Sequence, residues 1–274
     1  MGEACCLKLR QAAEFRFNIR PKAHAAQNLR DTVIRGIIFD LFHTLTAAES
    51  QWSEMPWTSD VLGIERRIWN DALTQRSRWR LIGEVSDPVA IVRSVAHSID
   101  PTISEEVVVR AAMYRQERFR NALGNIPSGN LHLLAELRQR GFRLGLLSNA
   151  DASEVAAWPE SPLAGLFDAE IFSCQVGYVK PEPAIYEECL RRLGLVAGEC
   201  MFVGDGGSNE LQGARQVGLY SVFFSGVIQE LWPERIPGLA EVADVHIGVL
   251  QELLSLPAMR SSAALAPRIA PDAA

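Results

Sequence analysis

The sequence of 274 residues has no apolar run long enough to cross a lipid bilayer, so we expect neither an integral membrane protein nor a membrane partner. It also lacks a surplus of positive charge, because 27 Lys and Arg residues stand against 33 Asp and Glu residues. The resulting net charge of -6 argues against a dedicated nucleic-acid binder, which usually presents a basic face. The chain has no internal repeat, which excludes a repeat architecture.

The cysteines lack the spacing of a metal site and are odd in number: Cys5, Cys6, Cys174, Cys189 and Cys200. This pattern is typical of free thiols in a reducing compartment rather than of a disulfide framework. Residues 1–33 contain no apolar signal-peptide core. We therefore expect a cytoplasmic protein.

Composition predicts unstructured segments at both ends of the chain. Residues 1–33 are rich in Lys and Arg, and we predict a flexible extension there. Residues 257–274 are rich in Ala, Pro and Ser, which predicts a disordered tail. The length between them suits one large domain or a domain with an insert.

Short apolar runs alternate with amphipathic helical patterns over most of this length, which predicts a parallel sheet covered by helices on both faces. The predicted strands are 33–40, 144–148, 170–173, 201–205, 221–224 and 244–247. Three helices are predicted between them, at 131–140, 183–193 and 209–217. Gly141, Gly194 and Gly218 are their stop signals, and Asn209 is the predicted N-cap of the last.

Residues 49–125 interrupt this alternation, since they contain no convincing strand pattern. Helical patterns at 59–77, 87–98 and 104–123 predict an all-helical insert after the first strand. The sheet core then comprises 34–48 and 126–256, and the insert has the size of a small domain. Its arginines (66, 67, 76, 78 and 80) and tryptophans (57, 69 and 79) predict a solvated helix face over an apolar core, from which one arginine could reach an anionic substrate.

Polar side chains collect where the predicted strands end, and in open parallel sheets ligands bind at the carboxyl ends of the strands. These residues are Asp40, Ser148, Asn149, Lys180 and Asp205, with Glu210 five positions later. A carboxylate can act as a nucleophile, and a hydroxyl and an ammonium can hold transferring oxygens. Neighbouring carboxylates repel unless a cation joins them, and oxygen ligands suit Mg²⁺. The sequence therefore predicts a magnesium-dependent site.

Each of these residues also has a plain structural interpretation. Asp40, Ser148 and Asn149 could cap turns, and Lys180 could be a solvated surface residue. Glu210 could be a first-turn acid that interacts with the dipole of its helix. These structural interpretations are less convincing for the residues as a group, because a parallel sheet would place all of them at the same edge.

Four motifs carry a resemblance to the haloacid dehalogenase superfamily of hydrolases: "IIFDLFHTL", "LLSNA", "KPEPAIY" and "VGDGGSNELQGA". They occur in the expected order, each at a predicted strand end, and together they bracket residues 34–219. The resemblance implies a Rossmann-like three-layer core with the helical insert as a cap over the site.

The resemblance also implies roles for single residues. Asp40 would be the nucleophile, Ser148 and Lys180 would bind the transferred group, and Asn149 and Thr44 would contact the substrate. The implied Mg²⁺ ligands are Asp40, the backbone carbonyl of Phe42, Asp205 and Glu210.

The phosphatases of this superfamily have a second aspartate two residues after the nucleophile, which protonates the leaving alcohol. This sequence has Phe42 at that position. Positioned acid–base catalysis contributes about 10² to 10⁴ in rate. The departure therefore implies a slower enzyme, a leaving group that needs no proton, or another proton donor. His43 is one candidate, because histidine transfers protons near neutral pH.

Three hypotheses remain open. The favoured one is a magnesium-dependent hydrolase of a small phosphorylated, anionic molecule, working as a monomer or homodimer. The second is a dehalogenase, whose superfamily members have an aromatic residue at this position but need no metal and lack the acid that this chain keeps as Asp205. The third is a member that binds a phosphorylated ligand and turns it over slowly or not at all.

Overall fold

The computed structural model describes residues 33–48, 51–75 and 77–260. Within these ranges the chain forms one six-stranded sheet of order β3-β2-β1-β4-β5-β6, in which every neighbouring pair is parallel. Its strands are β1 (Gly36–Phe39), β2 (Arg143–Ser148), β3 (Ala169–Phe172), β4 (Cys200–Gly204), β5 (Tyr220–Phe224) and β6 (Val245–Ile247). The predicted α/β class is confirmed, and all six predicted strands are present.

Strand β1 lies at the centre of the sheet, between β2 and β4. Phe39 is paired with Leu146 on one side and with Val203 on the other. The strand order reverses at β1, because β2 and β3 extend the sheet one way and β4 to β6 the other. A crevice forms at the carboxyl ends of strands at such a point, so the residues that follow β1, β2 and β4 share one edge.

Both faces of the sheet are covered, as a parallel sheet requires. Ile37 and Phe39 join an apolar cluster on one face, while Ile38 joins a second cluster on the other. Helix Ser128–Gln139 covers the first face, and helix Pro183–Leu193 covers the second. The result is the three-layer arrangement that the alternation of strands and helices predicted.

The helices have the following bounds in chain order: Thr58–Leu62, Arg66–Gln75, Arg78–Leu81, Pro88–Ile99, Glu105–Gly124, Ser128–Gln139, Ser173–Val176, Pro183–Leu193, Glu210–Gln216, Gly226–Leu231, Ile236–Val242 and Pro257–Arg260. In the described part of the chain, none of them combines the length and the apolar character that a membrane crossing needs.

The helical insert contains one more break than its pattern predicted. The helix predicted at 59–77 is two helices, Thr58–Leu62 and Arg66–Gln75, because Gly63 adopts a left-handed φ of 69° and ends the first. The other two predicted helices are present, and the Asp87 side chain caps one by accepting a hydrogen bond from the Ala90 N–H at 2.7 Å. The insert has an apolar cluster of its own, which includes Leu62 and Trp69.

The helix predicted to start from an Asn209 cap forms in a different way. In the described structure Asn209 makes no side-chain capping bond, and its φ is 53°. The helix begins at Glu210, whose Oε1 accepts a hydrogen bond from the Gly206 N–H at 3.0 Å. Asn209 therefore occupies the predicted N-cap position, but the side chain that closes the turn before this helix is that of Glu210.

The predicted disordered tail begins too early in the sequence. Pro257–Arg260 forms a short helix, and Ala258 and Met259 are buried in the apolar cluster that contains Phe39. The Ala- and Pro-rich composition concealed these two core contacts. The rest of that prediction, 261–274, and the predicted extension over 1–32 lie outside the described residues.

Buried ion pairs join the insert to the segment after β2. Arg80 and Arg115 of the insert both donate hydrogen bonds to Asp151, at 2.8 and 3.1 Å, and both approach Glu154. We call these four residues the arginine–carboxylate cluster. Burial acts to raise the pKa of Asp151, but the two arginines outweigh it and hold that pKa at about 2. Arg80 is only 6% exposed, so its predicted place on a solvated face is wrong.

Removing one arginine from this cluster should destabilise the protein. We expect Arg115→Met to lower the free energy of unfolding by about 3 kcal/mol, because it leaves Asp151 and Glu154 buried with half of their opposing charge. Chemical denaturation measures this change. Arg120→Met, on the same helix, is the matched control, because it breaks an exposed pair with Glu160 and should change stability little. Equal effects of the two variants would contradict a stabilising role of the cluster.

Candidate active site

Asp40 is the first residue after β1 and is only 6% exposed. Its backbone N–H donates a hydrogen bond to the Val203 carbonyl oxygen at 2.9 Å, which fixes it against β4. Its Oδ1 accepts a hydrogen bond from Lys180 Nζ at 2.5 Å, and its Oδ2 accepts one from Thr44 Oγ1 at 3.0 Å. Both carboxylate oxygens are therefore oriented by neighbouring side chains, and Thr44 contacts Asp40 directly.

Lys180 lies in the loop between β3 and helix Pro183–Leu193, and its side chain is buried between two acids. Besides Asp40, its Nζ donates to Glu210 Oε2 at 2.5 Å. Burial opposes the charged form, but Asp40 and Glu210 together raise the pKa of Lys180 above its ordinary value. The lysine is therefore a buried cation that bridges β1 and the helix after β4.

Asn149 holds the backbone of this loop. Its Nδ2 donates to the Lys180 carbonyl oxygen at 3.0 Å, and its Oδ1 accepts from the Lys180 N–H at 2.8 Å. Asn149 was predicted to contact the substrate, and its side chain instead positions the backbone of Lys180. Ser148, the last residue of β2, is 1% exposed and lies on the strand next to β1.

Asp205 and Glu210 follow β4 and are held by the glycine turn between them. Asp205 Oδ1 accepts a hydrogen bond from the Gly207 N–H at 2.8 Å. Glu210 Oε1 accepts one from the Gly206 N–H at 3.0 Å. Gly204, which ends β4, is required for close packing, since a Cβ there would overlap Glu210 Oε1. This explains why the motif has glycines around its acids.

Asp40, Asp205 and Glu210 form a cluster in which one ligand atom from each lies within 4.8 Å of the others. Burial raises the pKa of Asp40, although Lys180 opposes this effect. Burial also raises the pKa of Glu210 well above its usual range, again against Lys180. Three acids therefore share one buried lysine, which leaves a surplus of negative charge when all are ionised.

His43 lies on the other side of Asp205. Its φ of 62° is left-handed, and its N–H donates to Thr46 Oγ1 at 3.0 Å. Its Nδ1 is 3.6 Å from Asp205 Oδ2, which is ion-pair range and longer than a hydrogen bond. Burial acts to raise the pKa of Asp205, but His43 and the Gly207 N–H outweigh it and lower that pKa.

Phe42 directs its ring toward the insert. The ring lies 5.7 Å from that of Trp52 and 5.2 Å from that of Phe119, both measured between centroids. The His43 ring stacks on Trp52 and meets Trp232 edge-on, each at 5.7 Å. A wall of aromatic side chains therefore stands beside the acids.

This aromatic wall was not predicted from the sequence, because Trp52, Phe119 and Trp232 come from distant segments outside the four motifs. Phe119 occupies an ordinary helix position, and Trp232 follows a helix near the far end of the sheet. No local pattern distinguished them. The accumulation of tryptophans in the insert was the one signal that pointed to such a surface.

The sequence and fold both have known relatives. A family model described as haloacid dehalogenase-like hydrolase matches residues 34–218. The glyceraldehyde 3-phosphate phosphatase of Methanopyrus kandleri is 32% identical over 127 residues, which cover 45% of this chain and 52% of that protein. The phosphoserine phosphatase of Thermus thermophilus is 31% identical over 121 residues, which cover 44% of this chain and 46% of that protein. The chain thus spans about half the length of these two relatives.

Among solved structures, the L-2-haloacid dehalogenase of Xanthobacter autotrophicus is similar with a TM-score of 0.55 at 19% identity, covering 82% of this chain and 98% of that one. At this identity the likeness concerns the fold alone. The family match, by contrast, extends over most of the chain and includes Asp40, Ser148, Lys180, Asp205 and Glu210. The chain therefore belongs to the haloacid dehalogenase-like hydrolases.

Proposed function

We propose that this hydrolase cleaves the phosphate ester of a small molecule, with Asp40 as the nucleophile and Mg²⁺ as the cofactor. The observation that carries the proposal is the buried group of Asp40, Lys180, Asp205 and Glu210, which combines a nucleophile, a cation and a surplus of acids. The similarity to two curated phosphatases supports the same reaction class.

The donor set fits Mg²⁺, because buried carboxylates that exceed their cationic partners favour a hard, oxygen-binding ion. Asp40, Asp205 and the backbone carbonyl of Phe42 would hold it. Glu210, whose two oxygens accept bonds from Lys180 and Gly206, would support the site from behind. When bound, the ion neutralises charge on the transferred phosphoryl oxygens.

The residues of the chain account for both halves of the reaction. An Asp40 oxygen attacks phosphorus, the ester P–O bond breaks, and the phosphoryl group stays on Asp40. Water then attacks the phosphorus, the bond to Asp40 breaks, and phosphate leaves. Lys180 and Ser148 hold phosphoryl oxygens during both steps, while Thr44 and Asn149 keep Asp40 and Lys180 in position. The helical insert acts as the cap over this site.

The departing oxygen needs a proton, which Phe42 cannot supply. His43 is the alternative that we favour, since its ring lies beside Asp205 at the same edge of the sheet. We assign it the transfer of a proton to the leaving oxygen and the later activation of water.

The absence of an acid at position 42 also keeps a second function in consideration. In a dehalogenase, Asp40 would displace a halide from carbon, and the halide would leave without a proton. The buried surplus of acids around Asp205 favours the phosphatase, because displacing a halide needs no metal.

A substrate panel with and without metal separates the two. We expect phosphate release from small phosphate esters with Mg²⁺, its loss with a chelator, and its reduction to background in Asp40→Asn. Halide release from 2-haloacids that survives the chelator would exclude the phosphatase. Saturable binding of phosphate esters without either product would instead indicate a non-catalytic member.

Mg²⁺ should stabilise the folded protein through this site. At a concentration 100 times its dissociation constant, the ion should add about 2.7 kcal/mol to the free energy of unfolding. Thermal unfolding with and without Mg²⁺ measures this difference. Asp205→Asn should abolish the increase in the free energy of unfolding that Mg²⁺ causes. Asp71→Asn, at an exposed position of the insert, should preserve that increase. An unchanged response in Asp205→Asn would remove Asp205 from the metal site.

The role of His43 predicts a dependence on the leaving group. His43→Gln should reduce the rate by about 10² to 10⁴ for an alkyl phosphate, whose leaving oxygen needs a proton. The loss should be much smaller for 4-nitrophenyl phosphate, whose leaving group departs as an anion. His132→Gln, at an exposed position, is the control. Equal losses for both substrates would show that His43 does not protonate the leaving group.

A further inference from the structure

A cavity of 330 Å³ lies between the insert and the sheet core, and we call it the insert cavity. Its lining includes Trp52, Phe119 and Trp232, the residues of the aromatic wall. Trp52 and Phe119 contact the Phe42 ring, and Trp52 and Trp232 contact the His43 ring. Phe42 and His43 follow Asp40 in the chain, so the cavity borders the turn that carries the proposed nucleophile, on the insert side.

The walls of the cavity are unusually rich in flat rings. Besides the aromatic wall, Trp57 and Trp69 line it, so that four of the six tryptophans of the chain meet here. Aromatic residues make up only 8% of the sequence. Ring faces pack best against another ring, edge-on or offset, so this lining favours a planar aromatic ligand over a flexible polar chain.

Two arginines give the cavity a positive side. The guanidinium carbon of Arg66 lies 4.2 Å from the centroid of the Trp57 ring, and that of Arg118 lies 3.8 Å from it. Arg118 is only 5% exposed, and its Nη1 also donates to the Met55 carbonyl oxygen at 3.0 Å. Stacking on Trp57 orients both guanidinium groups, whose planar forks match a carboxylate.

Arg115 also lines the cavity, but it forms ion pairs with Asp151 and Glu154 in the arginine–carboxylate cluster. Glu154 is the one acid among the described residues of the lining, and it is paired with that same arginine. Among the described residues, Arg66 and Arg118 are therefore the lining arginines outside this cluster, and Arg66 also lies 3.8 Å from Asp60 in a half-exposed ion pair.

The volume limits what the cavity accepts. At 330 Å³ it stands at the lower end of the range of about 300 to 1,000 Å³ for ligand pockets. A single substituted ring fits this space.

We propose that the insert cavity binds the leaving group of the substrate, and that this group is a single aromatic ring that carries a carboxylate. The ring packs against the tryptophans, and the carboxylate meets Arg66 and Arg118. The assignment rests on the proposed function only in that the ring is the group released from phosphate; the binding of the ring acid does not depend on turnover.

Quenching of tryptophan fluorescence tests binding directly. The probes are 4-hydroxybenzoate, phenol, which lacks the charge, and 4-hydroxycyclohexanecarboxylate, which lacks the aromatic ring. We expect 4-hydroxybenzoate to bind the full-length protein at least about tenfold more tightly than either comparator. Equal affinities for all three probes, or no saturable quenching, would overturn the proposal.

Variants then separate a specific contact from a general charge effect. Arg66→Ala should weaken 4-hydroxybenzoate binding about tenfold and leave phenol binding unchanged, and Arg118→Met should do the same. Arg67→Ala is the matched control, because its side chain is 79% exposed one position away. An equal effect of Arg67→Ala would overturn the assignment. Because Arg118 is buried, its variant could fail to fold. Arg66 is half exposed, so the Arg66→Ala variant tests the proposal in either case.

A turnover assay distinguishes failure of this proposal from failure of the proposed function. We expect phosphate release from 4-carboxyphenyl phosphate to exceed that from phenyl phosphate and glycerol phosphate. Tight binding of 4-hydroxybenzoate without any phosphate release would support the cavity and contradict the phosphatase. Phosphate release that is equal for all three esters, without binding of the ring acid, would support the phosphatase and overturn the cavity assignment.

Discussion

The structure of the site depends on one buried lysine. Lys180 is 4% exposed and donates to both Asp40 and Glu210, so it joins segments that follow three different strands. Without it, the buried carboxylates would face one another with no opposing charge, a costly arrangement in a low-dielectric interior. Asn149 holds the lysine from the backbone side, and the glycines after β4 allow the acids to approach. The site is thus assembled by electrostatic compensation on a rigid sheet edge.

The turn after Asp40 connects this site to the helical insert. Phe42 and His43 are adjacent in sequence, yet they serve different neighbours: the phenylalanine packs on insert aromatics, while the histidine also approaches Asp205. The Phe42 ring contributes contact area with the insert at this turn, and a phenyl ring has no proton to donate. The arginine–carboxylate cluster joins the insert to the segment after β2, and two of its members, Arg115 and Glu154, also line the insert cavity.

Much of the fold was predictable because its signals are local. Apolar runs located the six strands, and glycines marked helix ends at Gly141, Gly194 and Gly218, all of which have left-handed φ values. The errors arose where distant contacts outweigh local preference. Arg80 is buried because Asp151 and Glu154 compensate its charge, and Pro257–Arg260 is helical because Ala258 and Met259 reach the core. Neither effect has a signature within a few residues.

The sequence by itself determined the α/β class, the order of the motifs and the set of chemical groups at the strand ends, since all three follow from short-range patterns and from parallel topology. It also drew attention to Phe42, at the position where the family resemblance implies a second acid. The tertiary structure alone decided how those groups are connected: that Asn149 holds Lys180, that His43 lies beside Asp205, and that Trp52, Phe119 and Trp232 form a wall. The physical reason is that contacts between residues far apart in the chain depend on packing geometry, which no local periodicity encodes.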